Sequence, residues 1–249
     1  MVLANTAHID LWFWHLAASP ATVARWHTYL DARERERMAR FVFARDQTRF
    51  TICRSRLRRI LGWYTANNPR DIRFASSGHG KPVLAEPNPR DVHFSLSHTQ
   101  GLACLAVSHR DAVGVDLERL RDIKDNFVAY ALNPAEYAPV LALKADQKQA
   151  AFFRFWTAKE AYLKSIGTGL GQSLKTFDVS VPLDGCVGSF AAGALTRIDD
   201  DNQCARDWRL YSFRATPHHI GALAVKPPSG AEVEIRPRWI DDADTEPDQ

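Results

Sequence analysis

The sequence predicts an α+β fold of two similar halves, each an antiparallel sheet packed against one long helix. Two segments, 45–64 (RDQTRFTICRSRLRRILGWY) and about 147–166, carry apolar and basic residues on separate helical faces. Short strand-like runs separated by a few turn residues surround both. In each half a long helix is followed by strands with a similar edge, GLACLAV early and IGALAV late. Helix packed on sheet is the arrangement that buries both apolar faces. The halves are placed at 1–112 and 113–237, with 238–249 as a disordered acidic tail.

HIDLWFWHL reads as the first strand, and about 20–63 as helices. Phe50, Cys53, Leu57, Ile60 and Leu61 keep helical spacing in the longest of them. NNPRD, SSGHGKP and EPNPR are turns. VHFSLSH, LACLAVS and AVGVDLE follow, joined only by TQG and HRD, which predicts an antiparallel meander. A helix near 125–132, the NPAEY turn into further helix and the 147–166 helix come next, the last closed by the glycines of GTGLGQS. KTFDVSVP, VGSFAAG, DWRLYSF and HIGALAV are the remaining strands.

With 249 residues the chain is long enough for a substantial core. The net charge of +3 hides an uneven distribution: residues 33–59 are rich in arginine and DDADTEPDQ is acidic. That asymmetry suits a polyanionic ligand such as a nucleotide. Cys53, Cys104, Cys186 and Cys204 form no C-x-x-C pair, so neither zinc nor a disulfide framework is indicated. The N-terminus lacks the basic start of a signal peptide, and no apolar run approaches the roughly 20 residues of a membrane span. A reduced, cytoplasmic protein without membrane contact is expected.

In GVDLERL, Asp116 and Glu118 sit at i and i+2 of a strand and share a face, while Val115 and Leu117 face the core. Two carboxylates so placed reach one hard cation such as Mg²⁺. The spacing alone is weak, because half-exposed strands produce it often. In FWTAKEAYLK, Phe152, Phe155, Trp156, Leu163 and Ile166 make an apolar stripe. Glu160 and Lys164 flank it one turn apart, the spacing of a surface ion pair. Lys159 points into the stripe, either spanning the core or reaching a cleft. SSGHGKP has the composition of a phosphate loop around Lys81 but is not a Walker A sequence, since Pro82 follows the lysine. FSLSHTQG puts Ser97 and His98 at a strand end, and no G-x-S-x-G accompanies them to suggest a hydrolase.

The order of these pieces carries more than any one of them. GHGKP, HFSLSHTQG, GVDLERL, NPAEY and FWTAKEAYLKSIGTGL, between about Arg37 and Phe177, resemble the Sfp-type 4′-phosphopantetheinyl transferases. Leu96 and Thr99 depart mildly from the family pattern. The resemblance implies a pseudo-twofold α+β protein that binds coenzyme A between its halves. It implies transfer of the phosphopantetheinyl arm to a serine of an apo acyl, peptidyl or aryl carrier protein, with release of 3′,5′-ADP. By position, Asp116, Glu118 and Glu160 look like the site for Mg²⁺, or Mn²⁺ in its place. Lys164 looks like a pyrophosphate ligand and a catalytic group. Lys81, Ser97, His98, Arg37, Arg49 and Arg54 look like coenzyme A contacts, and Glu136 matches a carboxylate expected to act as the base for the serine. A monomer is expected to hold a whole site. The alternative is a coenzyme A or nucleotide binder without transferase activity. A nucleic-acid partner is disfavoured because the carboxylate set repels phosphates.

Overall fold

Alternation in the first apolar run sends Ile9, Leu11 and Phe13 to one face of a strand and Trp12 and Trp14 to the other. In the computed structural model, which describes residues 6–77, 80–168, 172–200 and 203–241, this is β1, Thr6–His15. Three helices follow: α1 (Pro20–His27), α2 (Ala32–Ala39) and α3 (Ala44–Thr65). The α2 helix starts on a reciprocal cap. The Asp31 carboxylate accepts from the Glu34 N–H at 2.9 Å, and the Glu34 carboxylate accepts from the Asp31 N–H at 3.1 Å. A small hairpin, β2 (Phe74–Ser76) and β3 (Pro82–Leu84), flanks the SSGHGKP turn. Gly78 and His79 of that turn lie outside the described residues.

The next three strands are β4 (Val92–Thr99), β5 (Leu102–His109) and β6 (Ala112–Arg119). The expected meander stops at β5. That strand pairs with β1 along one edge and β4 along the other, so it has no edge left for β6. Beyond the turn at Arg110 and Asp111 the chain crosses to a second sheet instead. There follow α4 (Asp125–Ala131), α5 (Pro134–Leu141) and α6 (Ala145–Ile166), the last closed by Gly167 in the left-handed region at φ 76°. The second sheet is completed by β7 (Phe177–Ser180), β8 (Phe190–Ile198), β9 (Arg209–Thr216) and β10 (His219–Lys226). Its order is β6-β10-β9-β8-β7.

A last strand, β11 (Glu232–Trp239), returns to the first sheet and pairs in parallel with β1, giving the order β11-β1-β5-β4. Pro237 is tolerated because β11 is an edge strand. The expected tail therefore begins with strand: Arg238 and Trp239 belong to β11, and the Ile240 N–H donates to the Phe13 carbonyl at 3.0 Å. Residues 242–249, the acidic end, lie outside the described residues.

These elements stack in four layers. Trp12, Trp14, Leu105 and Val107 of the first sheet pack on Ile52, Leu57, Ile60 and Leu61 of α3. The opposite face, Ile9, Leu11, Phe13, Cys104 and Ala106, meets Val113, Val115, Leu117, Leu223 and Val225 of the second sheet. The far face of that sheet, with Ile220, Ala222 and Ala224, is covered by α6 through Ala158, Ala161 and Tyr162. The order is helix, sheet, sheet, helix, with the two sheets face to face.

Along one side of the sandwich the edge strands β4 and β6 meet without a backbone ladder. Serine hydroxyls bridge them: Ser95 Oγ accepts from the Val115 N–H at 3.0 Å and Ser97 Oγ from the Leu117 N–H at 3.2 Å. This seam satisfies amides that an unpaired buried edge would leave without partners. It also fixes where Asp116 sits.

Candidate active site

Asp116 lies on β6 between the two bridged residues, 5% exposed. Gly114, two residues earlier on the same face, sets the approach of α6. A Cβ there would collide with the Ala161 carbonyl and lie 2.5 Å from the Ser165 nitrogen. With only hydrogen at this position, the helix lies close enough for Lys164 to reach the strand. Lys164 Nζ is 2.7 Å from Asp116 Oδ1 and donates to Ser97 Oγ at 3.0 Å. The Ser97 hydroxyl donates to the same carboxylate oxygen at 2.9 Å. Three elements that are distant in sequence (β4, β6 and α6) thus meet at one point.

Glu160 stands one turn before Lys164 on α6. Burial first, and then the charge of Asp116, push its carboxyl up to about 7, with Glu118 adding to the rise and Lys164 opposing it. Glu118 is held by Arg121, whose Nη1 donates to its Oε2 at 2.7 Å. Among the described residues no three His, Cys, Asp or Glu side chains converge as a closed ligand set. Two carboxylate oxygens are nevertheless buried without a partner, Asp116 Oδ2 and Glu160 Oε1. Leaving such atoms unmet is costly. A hard divalent cation meets both demands, supplying a partner and cancelling the repulsion that raises Glu160. The donors present fit such an ion.

Cationic groups gather beside the carboxylates. Lys81 donates from Nζ to the Val113 carbonyl at 3.0 Å, and burial, helped by the charge of Lys164, lowers its pKa to about 8. His98 is also held below its usual value, by the crowding around its ring first and then by Lys164 and Arg37. Its side chain still reaches solvent. Lys164 acts on both Lys81 and His98, and Arg37 on His98, so the lysines and Arg37 make a positive field next to the carboxylates that favours a neutral His98.

The structure brings together Lys81, Ser97, His98, Asp116, Glu160, Lys164 and Arg37, with Glu118 at the border. The remaining expected residues fall elsewhere. Arg54 is taken up by Glu34, Nε to Oε1 at 2.6 Å, and lies 4.5 Å from the Phe74 ring centroid. Arg49 is half-exposed and loosely paired with Asp46 at 3.7 Å. Ser97, within the cluster, has its hydroxyl engaged in the seam by Asp116, Lys164 and the Leu117 N–H. Glu136, expected as the base, is 2% exposed. It accepts from the Asn133 N–H and the Val179 N–H, both at 2.8 Å, and its Oε2 is 2.7 Å from Lys159 Nζ. Three of its roughly four acceptor sites are thereby taken, and burial keeps it from solvent. Lys159, 0% exposed, also donates to the Leu174 and Phe177 carbonyls at 2.6 and 3.0 Å, so it spans the core.

Sequence reasoning passed over Gly114 and Ser95. The signal for both is face-counting along the strands: Gly114 precedes Asp116 by two, and Ser95 precedes Ser97 by two.

The chain is also similar in sequence to known proteins. Residues 112–216, which hold Asp116, Glu160 and Lys164, match a model of the 4′-phosphopantetheinyl transferase superfamily. Residues 14–110 match a model of the N-terminal part of 4′-phosphopantetheinyl transferases. The 4′-phosphopantetheinyl transferase HetI of Nostoc sp. is 40% identical over 146 residues, covering 57% of this chain and 62% of HetI. The L-aminoadipate-semialdehyde dehydrogenase-phosphopantetheinyl transferase of Mus musculus is 30% identical over 223 residues, 81% of this chain and 69% of its own. The 4′-phosphopantetheinyl transferase Sfp of Bacillus subtilis is 28% identical over 163 residues, 66% and 71%. With two adjoining family models and relatives matched across most of its length, the chain belongs to the 4′-phosphopantetheinyl transferase superfamily.

Proposed function

We propose that this chain moves the 4′-phosphopantetheinyl group of coenzyme A onto a serine hydroxyl of an apo carrier protein and releases 3′,5′-ADP. The observation that carries the reading is the junction of β4, β6 and α6. There two unpartnered carboxylate oxygens, on Asp116 and Glu160, lie beside Lys164 and Lys81. A pyrophosphate diester needs both halves of that arrangement. It needs cations along its oxygens, and it needs a metal platform that neutralises the charge gathering on the leaving oxygen.

Asp116 and Glu160 would hold Mg²⁺, or Mn²⁺, with Glu118 at the margin. The bound ion would supply charge neutralisation and Lewis-acid polarisation of the phosphate. Ser97 orients Asp116 by donating to Oδ1. Lys164, its side chain 29% exposed, carries the charge that meets the pyrophosphate. Lys81, with its lowered pKa, still carries a proton on most molecules at neutral pH. Arg37 extends the positive surface toward α2, where it would meet a nucleotide phosphate, and His98, its pKa held below the usual value, stands beside it as a neutral hydrogen-bonding group. Glu136 contributes to none of these tasks directly. It braces α5 and β7 against α6 through Lys159.

The test is to incubate the protein with coenzyme A, Mg²⁺ and a panel of apo carrier proteins and weigh the carriers intact. Addition of one phosphopantetheinyl mass, dependent on Mg²⁺, is expected. Saturable coenzyme A binding with no carrier modified across the panel would replace the transferase reading with that of a binding protein.

A further inference from the structure

Outside the active site one buried and one half-buried arginine each have a donor unmet. Arg154 of α6 is 3% exposed, and Arg214 of β9 is half-buried. Arg154 Nη1 donates to Ser212 Oγ at 2.9 Å, and Arg214 Nη2 donates to the Pro217 carbonyl at 2.6 Å. The Nε atoms of both are buried without any partner. Burial first, and then the charge of Arg214, depress the pKa of Arg154, while Asp184 works against this. Neither guanidinium forms an ion pair with a carboxylate among the described residues, and Asp184 reaches Arg154 only through its longer-range charge. Two like charges held together with unmet donors cost free energy that a bound anion recovers.

The surroundings give access and a floor. The segment 184–189 is exposed, and the Gly188 N–H donates to the Arg214 carbonyl at 2.8 Å, fastening the loop to β9. A Cβ on Gly185 would stand 3.1 Å from Arg154 Nη2, 3.6 Å from Nη1 and 3.5 Å from Ser189 Oγ. The guanidinium therefore lies one side chain below the surface, at a residue that has none. Strand register places this cluster relative to the active site. Ser212 pairs with Ala222 and Ala222 with Asp116, and Arg214 pairs with Ile220 and Ile220 with Glu118. Two strand spacings separate the sites, about 10 Å, on the same face of the sheet.

We propose that Arg154 and Arg214, beneath the loop 184–189, form a second oxyanion site that takes a phosphate-class anion. Guanidinium Nε and Nη donors present the paired geometry that phosphate oxygens accept. The anion ties the loop to α6 and β9, the two elements that meet there. This site is independent of the transfer reading, since none of its residues contacts Asp116, Glu160 or Lys164 in the hydrogen bonds and ion pairs of the described residues.

The test uses the full chain labelled with ¹⁵N at arginine. Nε–Hε resonances of residues 154 and 214 are assigned from Arg154→Lys and Arg214→Lys, and inorganic phosphate is titrated against sodium chloride at matched ionic strength. Both resonances are expected to shift saturably with phosphate and not with chloride. The Arg154 shift is expected to be lost in Arg214→Gln, a half-buried change that leaves the core intact, and to persist in Lys164→Ala. Equal response to chloride, or no response, would overturn the proposal. So would a saturable response to acetate without one to phosphate, which would make the site a carboxylate receptor. Loss of the response in Lys164→Ala would assign the anion to the active site instead.

Discussion

Glu160 carries the clearest consequence of burial at a single residue. Its folded pKa of about 7 lies above the ordinary carboxyl value, through burial and then the neighbouring Asp116 charge. A group raised in this way contributes stability that is fully present below its unfolded pKa and is lost as pH rises through the folded value. The metal-free protein is therefore expected to lose thermal stability between about pH 5 and 8, and Glu160→Gln is expected to flatten that slope. Identical pH profiles for the two proteins would show that Glu160 is not the group responsible. Affinity for Mg²⁺ should rise across the same window, because the proton must leave before the cation binds. The sequence made Asp116, Glu160 and Lys164 legible, since strand alternation and helical spacing place them by counting. It did not make legible the fate of Glu136 or Arg54. Both are charged residues whose partners, Lys159 at 23 positions' remove and Glu34 at 20, are fixed only by tertiary packing.

Within elements, α6 does two jobs on two faces. One face packs Ala161 and Ser165 onto Gly114 of β6 and so delivers Glu160 and Lys164 to Asp116. Replacing Gly114 by alanine forces the helix off the strand. A loss of about 1–3 kcal/mol is expected from overpacking, together with a fall in transfer rate larger than the stability change explains. Denaturant unfolding and steady-state rates on the same preparation check this. Unchanged stability would mean that the helix moves aside freely. The other face buries Lys159 against Glu136. Breaking a buried pair typically costs about 3–5 kcal/mol, so Lys159→Met should unfold well below the wild type. Glu136→Gln keeps an acceptor oxygen for only one of the Asn133 and Val179 amides and should lose stability, but its folded fraction should retain transfer within a few-fold. A thousand-fold fall in kcat in a folded Glu136→Gln would restore Glu136 as the base. The long helices were readable because each repeats its apolar spacing over many turns. The β5-to-β6 step was misread because local turn length says nothing about which strand edges are already occupied.

For the whole molecule, the return of β11 to β1 makes the first and last strands part of one sheet. Arg238 Nε donates to Asp10 at 3.1 Å and its guanidinium lies 5.2 Å from the Trp12 ring centroid, so the strand is held by side chains as well as by its ladder. A chain ending at residue 231 would expose the β1 edge and is expected to melt lower and to aggregate, read by circular dichroism and light scattering. The helix-sheet-sheet-helix stack was legible only as two helix-on-sheet pairs. That the sheets face each other depends on β1, β5, β6 and β10 each being apolar on a second face, which a list of strands does not reveal. Where the sheets' edges join, the seam of Ser95 and Ser97 sets the position of Asp116, and the central claim is that this junction is where transfer occurs. The most direct measurement is the rate of carrier modification by Asp116→Asn beside the wild type, at saturating coenzyme A and Mg²⁺ and with melting temperatures recorded for both. The account predicts a fall of about 10²-fold or more with the fold retained. Wild-type transfer by a folded Asp116→Asn would contradict it.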